Sequence, residues 1–320
     1  MNVLINTDME GCAGIFHREL QISNPTQLEF ARSLRLATGE VIAAVEGAKT
    51  AGAKEIWIEA LHDIDMEMLP EGLQVIRGKH LWDTVFKENQ FDAMILIGQH
   101  GGAHDIDSAL AHTCLPSWQI EEGADLQQGW IGQIAPQLAG LKPGEFSTVR
   151  NVWLNDRLTG ESGLIIAIAA SFGVPTVCES GDSHACAEAK ELVPEVETVP
   201  VKWGYHFRAA RMLSPAEARK RIREGVQKAL KRRNEIPCME DGPQTLRVQY
   251  VHPERADRTE RIASVERLDD FTISTTAPSG KDLAAAIAIL FARPSDALSE
   301  PTFPESIPLP HWLQKRVEQS

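Results

Sequence analysis

No apolar run in this 320-residue sequence approaches the roughly 20 residues needed to cross a bilayer, so no membrane-spanning helix is expected. The opening residues lack the basic start and long apolar stretch of a secretion signal, because Asp8 and Glu10 fall within the first ten positions. Cysteine is sparse: Cys12, Cys114, Cys178, Cys186 and Cys238 are scattered and odd in number, with no close pair. Neither a disulfide framework nor a thiolate zinc knuckle is indicated, and reduced thiols in the cytoplasm are the expectation. Positive charge is in deficit too, with 32 Lys and Arg against 45 Asp and Glu and a formal net charge of −13. That field repels nucleic acid and leaves small neutral or cationic ligands as the expected partners. What the chain does have is 43% hydrophobic residues, enough to bury a sizeable core in one large domain or two ordinary ones.

The apolar run Val3, Leu4, Ile5 breaks into Asn6, Thr7, Asp8, Met9, Glu10 and Gly11, the pattern of a buried strand ending in a loop. Asp8 and Glu10 then lie at a strand's carboxyl end, where open α/β sheets bind ligands. Two residues apart in extended chain, they project the same way and can reach one cation. Alone, the pair could equally solvate a turn. Apolar spacing from 28 to 48, with Gly39 as an interruption and Gly52 as a stop, predicts an amphipathic helix. The segment EIWIE at 55 to 59 completes a β-α-β unit, and His62 falls just past its end. A short helix around 81 to 87 leads to a second continuous apolar run at 93 to 97, followed by Gly98, Gln99, His100, Gly101, Gly102, Ala103 and His104. Three successive strands thus release metal-capable side chains at corresponding positions.

Further along, strands are expected at 149 to 154 and 174 to 178, with a helix opening at Gly160 and Glu161 between them and Gly173 stopping it. A turn through Ser180, Gly181 and Asp182 precedes a helix beginning near Ser183. The helix from 215 to about 233 is rich in Arg and Lys, without interleaved aromatics, and reads as a solvated face rather than a nucleic-acid surface. Strands near 246 to 251 and 271 to 275 and an Ala-rich helix at 281 to 292 follow. Beyond Arg293, five prolines suggest an extended arm making oligomer contacts, with Trp312 and Leu313 as anchors. The expectation is an α/β protein: a three-layer αβα domain with a mostly parallel sheet over 1–195, a smaller α/β domain over 196–292, and the arm over 293–320.

Carboxylates and imidazoles without thiolates suit zinc, manganese or cobalt in an open catalytic site. At Asp8-Met9-Glu10-Gly11, His62, Gly98-Gln99-His100, Ala111-His112-Thr113, Asn155-Asp156-Arg157 and Gly160-Glu161, the sequence resembles the D-aminopeptidase family of bacterial dipeptide operons, peptidase family M55. The likeness runs in order over about the first 215 residues. It implies two zinc ions per subunit on Asp8, Glu10, His62, His100 and Glu161, with Asp8 as the bridge. Five ligands exceed what one tetrahedral ion usually takes. It also implies His112 as the catalytic residue, either a nucleophile or a carrier of protons. The implied substrate is a short peptide with an N-terminal D-residue, and the implied assembly is a ring of identical subunits.

Plainer readings accompany each residue. Glu161 at a helix start favours the positive end of the helix dipole, and His112 within ALAHTCL could be a satisfied core histidine. His104 is four residues past His100, but Gly101 and Gly102 disfavour the helix such spacing needs, leaving it a pocket candidate. Asp182 and His184 read as a helix cap and its neighbour, and Cys12 and Cys114 as small buried hydrophobes. Glu59, Ala60 and Leu61 stand where the family carries Asn-Asp-Ser, so an acidic orienting residue must come from Asp63 or elsewhere. Ala111 replaces an expected hydroxyl residue before His112. The stretch from 115 to 147 is longer than in the family's type member and is expected to reshape the pocket with Trp118 and Trp130. Two alternatives to the peptidase reading are a related amidase acting on a non-peptide or L-configured amide, and a binding protein with a structural cation.

Overall fold

The computed structural model describes residues 1–77, 82–113, 149–238, 242–260 and 265–291. The long segment with Cys114, Trp118 and Trp130, and the C-terminal arm, lie outside the described residues. Strands β1 (Asn2–Thr7), β2 (Glu55–Ala60), β3 (Gln74–Arg77), β4 (Ala93–Gln99), β7 (Thr176–Asp182), β8 (Glu197–His206) and β9 (Ala209–Met212) form a seven-stranded sheet in the order β3-β2-β1-β4-β7-β8-β9. Every pairing is parallel except β8 with β9. All seven residues of β4 and of β7 are buried, as strands covered on both faces must be. The predicted α/β class with a mostly parallel sheet is what the structure has.

Helices α1 (Arg18–Gln21), α2 (Leu28–Thr50), α3 (Trp82–Glu88), α4 (Glu161–Ser171), α5 (Ser183–Leu192), α6 (Pro215–Lys231), α7 (Pro253–Thr259) and α8 (Gly280–Phe291) complete the described elements, with short 3-10 turns between some of them. Helix α2 runs through Gly39 without a break. Arg219 of α6 lies so close there that a Cβ would stand 2.2 Å from its guanidinium, and α2 and α6 pack together against the sheet. Among the described residues, no helix is long and apolar enough to cross a membrane.

A second, antiparallel sheet has the order β11-β12-β10-β5-β6, from β5 (Val149–Leu154), β6 (Arg157–Leu158), β10 (Gln244–Tyr250), β11 (Glu266–Arg267) and β12 (Thr272–Ala277). The two sheets interleave along the chain. Val149–Leu154 pairs with β10, with Leu154 opposite Leu246, whereas β8, β9 and α6 belong with the first sheet. The reason is in the side-chain pattern: VRNVWL buries Val149, Val152 and Leu154 and leaves Arg150, Asn151 and Trp153 more open, as a half-covered antiparallel strand does, while AMILIGQ is buried throughout. Helix α4 joins the two halves. Residues 162 to 171 are all buried, because α4 packs on β4 and β7 and also on α8, which lies against β10 and β12. Its first residue, Glu161, emerges beside the carboxyl ends of the parallel strands.

Candidate metal centre

The six side chains singled out in the sequence converge at that edge. Asp8 follows β1, His62 lies two residues past β2, His100 directly follows β4, and Glu161 opens α4. Asp8 and Glu10 are buried, as are His100 and His112, while His62 is about one-quarter exposed. His62 Nε2 lies 3.3 Å from Asp8 Oδ1 and 3.1 Å from Glu10 Oε2. On the other side, His100 Nε2 lies 3.4 Å from Asp8 Oδ2 and 3.6 Å from Glu161 Oε1, which is also 3.6 Å from His112 Nε2. The two oxygens of Asp8 therefore face two different sets of donors. The groups Asp8, Glu10, His100 and His100, His112, Glu161 each have ligand atoms within 4.8 Å of one another.

The imidazoles are aimed. His100 Nδ1 is 2.9 Å from the Gly101 carbonyl and His112 Nδ1 is 2.7 Å from the Leu110 carbonyl. A carbonyl can only accept, so each Nδ1 carries a proton and each Nε2 is aimed into the cluster. The two rings stack with centroids 4.0 Å apart. Leu110 is held at φ 62°, a left-handed conformation costly for a branched side chain, and this is what directs its carbonyl back at His112. His100 Nε2 makes no hydrogen bond although it is buried, its neighbouring carboxylate oxygens lying 3.4 and 3.6 Å away. Buried donors and acceptors of this kind call for a partner, and nitrogen and oxygen atoms so disposed fit a zinc ion.

Burial raises Asp8 above the usual carboxylate range, and the charge of Glu10 adds to it. Burial pushes Glu10 the same way, but His62 and Arg18 outweigh it and hold Glu10 well below its ordinary value. Burial disfavours charge on His62 and His100, yet the facing carboxylates lift them to about 9 and about 10. His112 goes the other way: burial and the neighbouring His100 hold it well below an ordinary histidine.

The loop bearing Asp8 and Glu10 is clamped from several sides. The amide of Gly11 donates to the Gly98 carbonyl at 2.7 Å, and a Cβ on Gly11 would stand 1.8 Å from the Gln99 oxygen, so the DMEG loop needs glycine there. Lys202 of β8, fully buried, donates from Nζ to the carbonyls of Glu10 and Ile15. Glu40 of α2 accepts from the Ala13 amide at 2.9 Å, and burial lifts its carboxyl to about 7. Glu188 of α5 accepts from the Gly160 amide at 2.8 Å and from the Thr159 hydroxyl at 2.6 Å, fixing the turn from which Glu161 projects.

Lys202, Glu40, Glu188 and Arg18, whose Nη1 lies 3.4 Å from Glu10 Oε1, escaped the sequence reading. A lysine inside an alternating segment looks solvent-facing, and nothing local marks the others. The remaining candidates fall outside both ligand groups. His104 Nε2 lies 3.8 Å from Asp105, and Asp182 caps α5 through the His184 amide at 2.9 Å while also contacting the His184 ring. Cys12 is buried, and burial pushes its thiol well above the usual range, as befits a small hydrophobe. Asp63 pairs with Arg77, and Glu59 accepts from Asn6 at 2.8 Å, with Asn6 in turn accepting from Gln99 at 3.0 Å.

A parallel sheet that gathers three carboxylates and three imidazoles at its carboxyl edge defines an α/β protein whose nitrogen and oxygen donors fit a metal ion there. A family model described as Peptidase M55, D-aminopeptidase, matches residues 1–121 and 145–289, and the chain belongs to that family. It is 38% identical over 88 residues to the D-aminopeptidase of Bacillus subtilis (strain 168), a match spanning 28% of this chain and about a third, 32%, of that relative's length. Its fold is similar to that of a solved structure described as the Zn-dependent D-aminopeptidase DppA from Bacillus subtilis, a self-compartmentalizing protease. The TM-score is 0.73 and the identity 21%, covering 91% of this chain and 96% of the other.

Proposed function

We propose that this chain is a zinc-dependent aminopeptidase that holds two ions with Asp8 between them and removes an N-terminal D-residue from short peptides. The observation that carries the reading is Asp8 itself, whose Oδ1 faces His62 while its Oδ2 faces His100. Glu10 and His62 would complete one half of the centre, and His100 and Glu161 the other. Zinc supplies, when bound, Lewis acidity toward a peptide carbonyl and a water of lowered pKa. His112 supplies proton transfer: neutral, with Nε2 directed at the centre, it takes a proton and returns it to the departing amine. The imidazolium formed in between is stabilised by the Leu110 carbonyl at Nδ1. One observation favours a second role, since His112 shares a ligand group with His100 and Glu161 and could bind the ion directly.

Family membership and the self-compartmentalizing description of the related structure support assembly of identical subunits, which sedimentation would read directly. The free buried thiols of Cys12, Cys178 and Cys186 fit a reducing, cytoplasmic setting. The deciding experiment measures kcat/KM of the zinc-loaded protein for D-alanyl-D-alanine and L-alanyl-L-alanine, beside an ion count by anomalous scattering. Two ions per chain and a D-preference of about tenfold or more are expected. Turnover confined to L-configured or non-peptide amides transfers the protein to the amidase alternative. A single closed ion without turnover leaves only a structural cation.

A further inference from the structure

We infer that Arg18 is a specificity-determining residue that receives the free carboxylate at the far end of a short peptide substrate, an inference that rests on the aminopeptidase reading above. Arg18 stands on a built platform. The buried Gln21 accepts from the amides of Phe16 and His17 at 2.8 and 2.9 Å and donates to the Gly14 carbonyl at 2.9 Å, tying this short segment into a fixed loop. The Arg18 side chain is about one-fifth exposed, at the rim of a cluster in which Asp8 and Glu10 are buried. Its one protein acceptor among the described residues is Glu10 Oε1, at 3.4 Å. Arginine pairs with a dedicated carboxylate through two parallel bonds of about 2.7–2.9 Å, so a single long contact leaves most of the fork's donors uncommitted. Glu10 meanwhile directs its other oxygen at His62, 3.1 Å away.

A largely buried arginine with spare donors beside the proposed catalytic centre suits an anion, and the substrate chemistry offers one. A short peptide is a zwitterion, and in a dipeptide the carboxylate lies one residue, about 3.3–3.6 Å of extended chain, beyond the scissile carbonyl. The guanidinium touches Glu10 itself, so a peptide whose carbonyl is at the centre brings that carboxylate to the rim. The need is electrostatic as well, because a chain of net charge −13 repels a substrate carboxylate unless a local cation reverses the field. An amide or ester of the same peptide lacks the anion and gains nothing from Arg18.

The test compares wild type with Arg18→Gln and Arg18→Lys, all zinc-loaded and with their zinc content measured. For each, kcat/KM is taken for D-alanyl-D-alanine and for its C-terminal carboxamide. Binding of the non-hydrolysable analogue with a methylene in place of the scissile carbonyl, as acid and as carboxamide, is measured calorimetrically. Arg18→Gln is expected to lower the acid-to-carboxamide ratio about tenfold or more in both measurements, mainly through KM, with Arg18→Lys in between. A ratio unchanged from wild type, whatever happens to overall activity, overturns the inference. If wild type turns over neither peptide, the aminopeptidase reading fails, and the acid-to-carboxamide binding ratio still decides the role of Arg18.

Discussion

In the proposed reaction, Asp8 and His112 would divide the chemistry between a group that must be charged and one that must not. Asp8 is boxed between His62 and His100, so its carboxylate suits a position between two cations. Burial and the neighbouring His100, stacked against it, hold His112 well below an ordinary histidine. Two substitutions separate these roles. His100→Ala removes a donor facing both Asp8 and Glu161, and is expected to abolish turnover and to lower the zinc count together; an active variant with full zinc would refute the ligand assignment. His112→Gln is expected to keep the full zinc count while kcat falls by about 10²- to 10⁴-fold. Loss of zinc from His112→Gln would instead make His112 a ligand.

At the scale of elements, what could be read in advance was whatever repeated with a clear period. Strands β1, β2 and β4 showed as runs ending in Asp8 with Glu10, in His62 and in His100, so four of the six cluster residues were visible as a recurring strand-then-ligand pattern. Glu161 and His112 lacked such a signal and came into view only through family resemblance. The sheet membership of VRNVWL stayed hidden because its partner strand, β10, lies some 90 positions later, a pairing that no local periodicity reports. The supports were hidden for the same reason: Glu40 reaches the DMEG loop from α2, and Lys202 reaches it from β8. Glu40 carries a testable pH dependence. Its carboxyl is raised from 4.5 to about 7 by burial, so the folded state binds the proton more tightly than the unfolded chain does. The stability this contributes is fully present below about pH 4.5 and lost as pH rises through about 7, by about 3 kcal/mol in all. Glu40→Gln keeps an oxygen for the Ala13 amide but cannot ionise. Denaturant titrations should show wild type losing stability relative to Glu40→Gln between pH 4.5 and 8, whereas parallel profiles would mean that Glu40 is ionised in the fold.

For the molecule as a whole, the centre and the core are separable sources of stability. The core runs through both sheets and the helices between them, from Val3, Leu4 and Ile5 through Ile166 and Ile168 to Leu246 and Leu290, and none of it depends on a cation. The centre, in contrast, collects Asp8, Glu10, His62, His100, His112 and Glu161 from separate segments of one edge, and an ion bound there would tie those segments together. Ligation to the folded state alone stabilises by about 4 kcal/mol when the free ion is at 1,000 times its Kd. At about 2–4 °C per kcal/mol for a chain of this order of size, chelation of zinc is expected to lower Tm by on the order of 10 °C. The far-UV circular dichroism below the transition should be unchanged, because both sheets keep their apolar packing. Re-addition of zinc should restore Tm and turnover in step. A chelated protein with the Tm of the loaded one would mean that the cluster closes on itself through its own imidazole and carboxylate pairs, and that the ion adds nothing to the fold. Loss of secondary structure on chelation would mean the opposite, that the carboxyl edge of the parallel sheet is held by the ion rather than by the hydrophobic layers beneath it.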